Sequence, residues 1–453
     1  MKKIGRYTVR ALLGQGGMGK VFKVEMPVTG RLAAMKLLKP NPLTVRLMGM
    51  ESLRELFVSE AVIMAGLRHP NLLDIWDFDE DNQGNPFYIT DYYCNNLGIM
   101  IGESSEAEKP CRVISTDRAI HYMHQILLGL ACLHHSGIIH RDIKPANLLV
   151  TDQDTVKICD FGLSKFRKER FRGPASLKVG SPWYAAPEQE KNPDEADFTA
   201  DIYSAGVTLY RMLTGILPAD RVQKPSDLNP DMDEDWNAFI FQAIHQDSGQ
   251  RFASARQMLA VFDQLSADWE ARKQNICRFS FPEKQERTGG ISRKRTLRCH
   301  PVKVRAMYAQ ERFGLDDLWQ PGEYVQNRFT VSENGTVSDE STGLMWEHGG
   351  AEYPLTWKKA GEYIDSLRRQ RFAEYENWRL PSIEELMSLL IRTPRGRDFC
   401  MEPVFDQTRK WLWSCDLCTF ISAWYVSLDL GFVFWQDFSA YYYVRGVRSM
   451  EKG

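Results

Sequence analysis

The sequence predicts an α+β protein in two parts: a small β-rich lobe followed by a larger helical lobe, and then a separate, compact α+β domain. Three observations predict it. Strand-like stretches cluster within residues 1–93 and helical periodicity dominates after them. Between 286 and 305 the chain turns basic, with seven Lys/Arg against the single Glu286, and carries Gly289-Gly290. Beyond that stretch the aromatic content rises: eight of the twelve tryptophans lie between Trp319 and Trp435.

In chain order, residues 5–39 read as short strands around a glycine-rich turn, 51–67 as an amphipathic helix and 86–93 as a short apolar strand. From 117 to 135 the spacing of Ile120, Met123, Ile126, Leu127, Leu130 and Leu133 is helical, and 198–214 and 253–274 read as further helices. The resulting division is a first domain over 1–270 (small lobe 1–93, large lobe 94–270), a basic linker over 271–325, and a second domain over 326–453. Within the second domain, 328–348 reads as strand, Asn334-Gly335 turn and strand. Thr356 is placed to cap a helix carrying Trp357, Ala360, Tyr363, Ile364 and Leu367. Ser382 and Glu385 form a capping box for a second helix over 383–391. Aromatic strands follow around 411–414, 423–428 and 441–448.

The chain of 453 residues is too long for one hydrophobic core. Its 43% hydrophobic and 26% charged content is that of a globular protein, and a formal net charge of −2 gives no global pull toward nucleic acid or anionic membrane. The start has no apolar secretory region, and no stretch of ~18 apolar residues marks a membrane span. Nine scattered cysteines, an odd count, point to a reducing compartment, so a cytoplasmic location is expected. Cys94, Cys132 and Cys159 sit in apolar runs as small core residues, and the Cys415/Cys418 pair lacks a second pair at zinc spacing.

The chemistry lies in the first domain. Gly14, Gly16, Gly17 and Gly19 form a GxGGxGxV run between two strands, with no helix opening after it. Glycines at this spacing let backbone N–H groups approach phosphate oxygens without side-chain obstruction. Lys36 follows on an apolar strand, and Glu60 on the 51–67 helix is available to hold its ammonium against phosphates. His140-Arg141-Asp142-Ile143-Lys144-Pro145-Ala146-Asn147 is followed by Asp160-Phe161-Gly162 and Ala186-Pro187-Glu188. Phosphoryl transfer needs a carboxylate to accept or steer a hydroxyl proton, the role suited to Asp142. Asn147 and Asp160 supply hard oxygen ligands for Mg²⁺.

With these motifs in order, residues 7–265 resemble the eukaryotic-type (Hanks-type) serine/threonine protein kinase domain as it occurs in bacteria. The resemblance implies a two-lobed kinase fold, ATP and Mg²⁺ as cofactors, and phosphorylation of Ser and Thr in proteins. It implies that Lys144 contacts the transferring phosphate and that Leu13, Val21, Ala34 and Leu149 surround the adenine. Thr90 falls at the gatekeeper position, and Asp91 to Tyr93 form the hinge. Asp201 braces the catalytic loop, and Arg251 pairs with Glu188. Arg141, directly before Asp142, marks kinases whose activation segment is ordered by phosphorylation. That segment carries Ser164, Ser176 and Ser181. Ser181 matches the position that contacts Asp142 and Lys144, and Ser176 is the candidate for autophosphorylation.

The series TGLMW, LTW, NWRLP-SIEEL, WS, AWYV and YYVRGVR over about 326–449 resembles the Lcl C-terminal-like family, which implies a C-type-lectin-like fold. It does not imply sugar binding, because Glu402-Pro403-Val404 and Trp413-Ser414 replace the calcium-ligating triplets of calcium-dependent lectins. The expected function is therefore a serine/threonine kinase whose second domain binds an unidentified protein or ligand for recruitment or regulation. The alternative is a nucleotide-binding scaffold whose main work is done by the second domain.

Overall fold

The computed structural model describes residues 2–103, 106, 108–161, 165–166, 181–192, 194–218, 222–279, 296–392 and 399–450. The chain divides into two units, Met1–Phe281 and Pro282–Gly453.

The first unit opens on β1 (Lys3–Ile4), β2 (Tyr7–Gln15), β3 (Gly19–Glu25), β4 (Leu32–Leu38), α1 (Pro42–Met48), α2 (Met50–Gly66), β5 (Ile75–Glu80) and β6 (Pro86–Asp91). The strands form one sheet in the order β1-β2-β3-β4-β6-β5. In β4, Ala33, Met35 and Leu37 are buried while Ala34 and Lys36 lie on the other, partly open face. Antiparallel pairing sets Val21 opposite Lys36, Lys36 opposite Tyr88 and Ala34 opposite Thr90, so all five share that open face. The closed face forms a core with Tyr7, Val24, Phe87 and Ile89. α2 docks through Phe57, whose ring lies 5.2 Å from that of Tyr88.

The larger lobe contains β7 (Asn95–Asn96), α3 (Leu97–Ile101), α4 (Thr116–His135), β8 (Ile138–Ile139), β9 (Leu148–Val150), β10 (Val156–Ile158), β11 (Lys165–Phe166), α5 (Pro187–Lys191), α6 (Phe198–Thr214), α7 (Pro225–Leu228), α8 (Glu234–Ala243) and α9 (Ala255–Phe279). Ser115 caps α4, and Met123, Ile126, Leu127, Leu130 and Leu133 are all buried, as their spacing predicts. α6 is buried on every side from Ala200 to Thr214, the pattern of a central helix.

The second unit contains α10 (Ala306–Phe313), β12 (Phe329–Ser332), β13 (Thr336–Asp339), β14 (Leu344–Glu347), α11 (Trp357–Arg369), α12 (Ile383–Ser388), β15 (Trp411–Leu417), β16 (Ser422–Ser427), β17 (Phe432–Asp437) and β18 (Val447–Ser449). Two antiparallel sheets result, β12-β13-β14-β18 and β15-β16-β17. The Asn334-Gly335 turn lies between β12 and β13, with Gly335 at φ +81°. Thr356 occupies the N-cap of α11 but makes no side-chain cap bond, whereas Ser382 and Glu385 form both bonds of the capping box. Trp346, Trp378, Trp413 and Trp424 are fully buried. The strand over Phe432–Asp437 is one that the sequence pattern left unclaimed.

The linker boundaries need correction. α9 extends to Phe279, past the expected linker start at 271. Val304, Ala309, Phe313 and Leu315 belong to the second unit's core, and Arg298 bridges Glu384 and Asp416. Residues 296–325 are thus part of the second unit: the basic run over 286–305 conceals the anchors Val302 and Val304, and the apolar residues after it pack into the same core. Residues 280–295 lie outside the described residues.

Candidate active site

Lys36 Nζ lies 2.7 and 3.0 Å from the two carboxylate oxygens of Glu60 and 2.8 Å from Asp160 Oδ1. Glu60 is 1% exposed and also accepts a hydrogen bond of 2.8 Å from the Tyr88 hydroxyl. Burial disfavours the charged lysine, but the Asp160 and Glu60 carboxylates outweigh it and hold the Lys36 pKa well above its usual value. The same ammonium draws the Asp160 carboxyl down to about 2. Burial pushes the Glu60 carboxyl up, with Lys36 opposing it. Tyr88 is a site residue that sequence reasoning missed. Its signal was its place two residues before Thr90, on the strand face that carries Lys36.

Asp201, buried in α6, orders the 140–147 loop. Its oxygens accept from His140 N at 2.9 Å, Arg141 N at 2.7 Å and His134 Nε2 at 2.9 Å. The His140 ring packs edge-on against Phe161 at 5.2 Å and so ties the loop to the segment that carries Asp160. Arg141 at φ +71° and Asp160 at φ +65° both adopt left-handed backbone, a strained state for non-glycine residues that the surrounding bonds hold in place.

Asp142 is 8% exposed. Its Oδ2 accepts from Asn147 Nδ2 at 2.8 Å and pairs with Lys144 Nζ at 2.9 Å, and its Oδ1 accepts from the Ser181 hydroxyl at 2.8 Å. Lys144 also donates to Ser181 Oγ. Turning Nδ2 toward Asp142 leaves the Asn147 carbonyl oxygen as its available acceptor. Together with the Asp160 carboxylate it offers the hard oxygen donors that Mg²⁺ takes, so these residues fit the cation.

The glycine run forms the β2–β3 hairpin. A Cβ on Gly19 would meet Leu37 O at 2.3 Å, so only glycine allows β3 to approach β4 there. A Cβ on Gly14 or Gly16 would meet nothing within 4 Å, and the space beside them is open. Gly16 N donates to Gly19 O at 2.9 Å, and Gly17 O accepts from Asn41 N. Val21, Ala34, Leu149, Asp91 and Tyr93 are partly exposed, Leu13 is exposed, and Thr90 is buried. Val21, Ala34, Lys36 and Thr90 come together on one sheet face.

Arg251 forms a two-point ion pair with Glu188, at 2.7 and 2.8 Å, as the sequence predicts. Gln189, not singled out from sequence, donates to Arg141 O at 2.7 Å. Gly162, Ser164 and Ser176 lie outside the described residues.

Two family models match the chain: the protein kinase domain over residues 7–271 and the Lcl C-terminal domain over 335–448. Among similar proteins, the serine/threonine-protein kinase pkn3 of Myxococcus xanthus is 33% identical over 221 residues, 47% of this chain and 38% of that protein. PrkC of Bacillus subtilis, also named a serine/threonine-protein kinase, is 29% identical over 301 residues, 63% of this chain and 44% of that protein. The chain thus spans about two fifths of the length of these relatives. Crystal structures of mutant forms of the Mycobacterium tuberculosis PknI kinase domain align at a TM-score of 0.45 and 24% identity, covering 59% of this chain and 98% of that domain. With more than half of its length matched by the first family model and that family's motifs assembled in space, the chain belongs to the protein kinase domain family.

Proposed function

We propose that this chain is a serine/threonine protein kinase that transfers the γ-phosphoryl group of ATP to Ser and Thr hydroxyls of proteins, its own chain included. The observation that carries the reading is the Ser181 hydroxyl seated on Asp142 Oδ1 at 2.8 Å while also accepting from Lys144. A substrate hydroxyl in that place would face a carboxylate for its proton and an ammonium for the charge on the transferring group. When bound, Mg²⁺-ATP supplies the transferable phosphoryl group and neutralisation of its negative charge. Asn147 and Asp160 are the residues proposed to hold the cation. Lys36, fixed by Glu60, is proposed to face the α- and β-phosphates, beneath the hairpin of Gly14, Gly16, Gly17 and Gly19. Leu13, Val21, Ala34 and Leu149 would enclose the adenine, with Thr90 behind it and the Asp91–Tyr93 backbone along its edge.

The names of the bacterial relatives support Ser/Thr over Tyr as acceptor. Lys144, two residues beyond Asp142, supports the same choice. Ser176 is the proposed autophosphorylation site, and the second unit is the proposed protein- or ligand-binding module for recruitment or regulation. A cytoplasmic setting fits the eight described cysteines, all free thiols. Among the described residues no helix is long and apolar enough to cross a membrane.

Radiolabelled ATP with casein, or with the protein alone, tests the reading. Label on phosphoserine and phosphothreonine is expected, with Ser176 among the mapped sites. Absence of transfer, or label on phosphotyrosine alone, would overturn it.

A further inference from the structure

The second unit holds a cavity of about 740 Å³, a size that suits a small organic ligand. One wall is a single stripe of α11, with Trp357, Gly361, Ile364 and Arg368 at helical spacing. Gly361 is the informative member. Glycine weakens a helix interior relative to alanine. Here no positive φ requires it, and a Cβ in its place would meet nothing within 4 Å. What its missing side chain does is leave the cavity open along the wall.

The charge around this opening is uneven. Lys303, Arg368 and Arg379 line it against the single carboxylate of Asp365. Glu385 holds Arg379 at both ends, at 2.6 Å each. Asp365 pairs with Arg368 at 3.0 Å, an exposed contact that solvent weakens. Lys303 sits over the Phe420 ring, and among the described residues no carboxylate pairs with it. Phe420 itself is 85% exposed, so apolar surface continues beside the lysine. Val302, Leu380 and Leu417 complete the apolar lining.

We propose that this cavity binds a small organic anion with a flat, apolar body. The anionic group would meet Lys303 and Arg368, and the body would lie along the stripe of Trp357, Gly361 and Ile364. This binding is independent of the kinase reading, because every residue involved belongs to the second unit.

The test uses the full chain and two matched fluorescent probes, anilinonaphthalene sulfonate and the uncharged phenylnaphthylamine with the same ring system. The sulfonate should bind saturably, and Gly361→Leu, which fills the open space, should weaken it at least about tenfold. Lys303→Glu should weaken the sulfonate about tenfold and change the amine by less than about threefold, as loss of one charge contact predicts. Three results would overturn the proposal: no saturable sulfonate binding, a Gly361→Leu chain that melts and binds as the parent does, or a Lys303→Glu chain that treats the two probes alike. If Gly361→Leu lowers the melting temperature, the exposed Lys303 variant decides the matter alone.

Discussion

Lys36 on β4 and Glu60 on α2 are joined by a two-point ion pair at 2.7 and 3.0 Å, and the same ammonium reaches Asp160 Oδ1 at 2.8 Å. A sheet strand, a helix and the 160 segment therefore converge on one nitrogen. If that convergence orients phosphates, Lys36→Met should lower phosphoryl transfer about 10²- to 10³-fold, the scale of lost transition-state electrostatics. Asp142→Asn should lose a comparable factor if Asp142 is the proton acceptor proposed above. Steady-state assays with casein, alongside circular dichroism to show retained folding, check both. Undiminished turnover in either variant would remove that residue from the proposed mechanism.

The depressed Asp160 carboxyl predicts an acid response. Its folded pKa of about 2 lies below the ordinary 3.8, so its pairing with Lys36 stabilises the fold above that ordinary value and the contribution fades as pH falls toward 2. Urea midpoints measured at about pH 5 and about pH 2.5 should fall less for Asp160→Asn than for the parent chain. Equal falls would show that the pair adds nothing to stability.

Asp201 is fully buried and accepts three hydrogen bonds, two of them from the backbone of the 140–147 loop. Asp201→Ala strands those donors, which predicts a stability loss of about 3 kcal/mol or more. Because the loop carries Asp142, kcat should fall as well, while the KM for ATP should change less. A variant with parental kcat and lowered stability would limit Asp201 to a folding role.

Arg298 ties the stretch before 306 into the second unit. Asp416 is buried and accepts from Arg298, Val302 N and Ile383 N. Removing the guanidinium leaves a buried carboxylate without its cation, a loss of about 3–5 kcal/mol. A fragment over 296–453 should therefore unfold at a clearly higher urea concentration than one over 306–453. Matching midpoints would show that Arg298 and Val304 are dispensable to the unit.

The sequence by itself determined the family of the first unit and several of its elements. The motifs from Gly14 to Glu188 were legible because the proposed chemistry needs a fixed residue type at short range: glycine beside phosphates, carboxylates for metal and proton, and Lys36 on an apolar strand. The helices over Thr116–His135 and Phe198–Thr214 were legible because their apolar period is a local property. The capping box at Ser382 and Glu385 was legible for the same reason. Tertiary structure alone decided what long-range burial decides. Tyr88 joined the Lys36 site only through strand register, and His134 met Asp201 only through the packing of α4 on α6. Residues 296–325 read as linker because the basic run over 286–305 dominated the stretch and no clear apolar period marked the residues after it. Yet Arg298 finds a buried carboxylate 118 residues away, and Phe313 packs on Trp424 at 5.4 Å. No local pattern encodes such partners, because a buried charge or ring is stabilised by whatever the rest of the chain brings beside it.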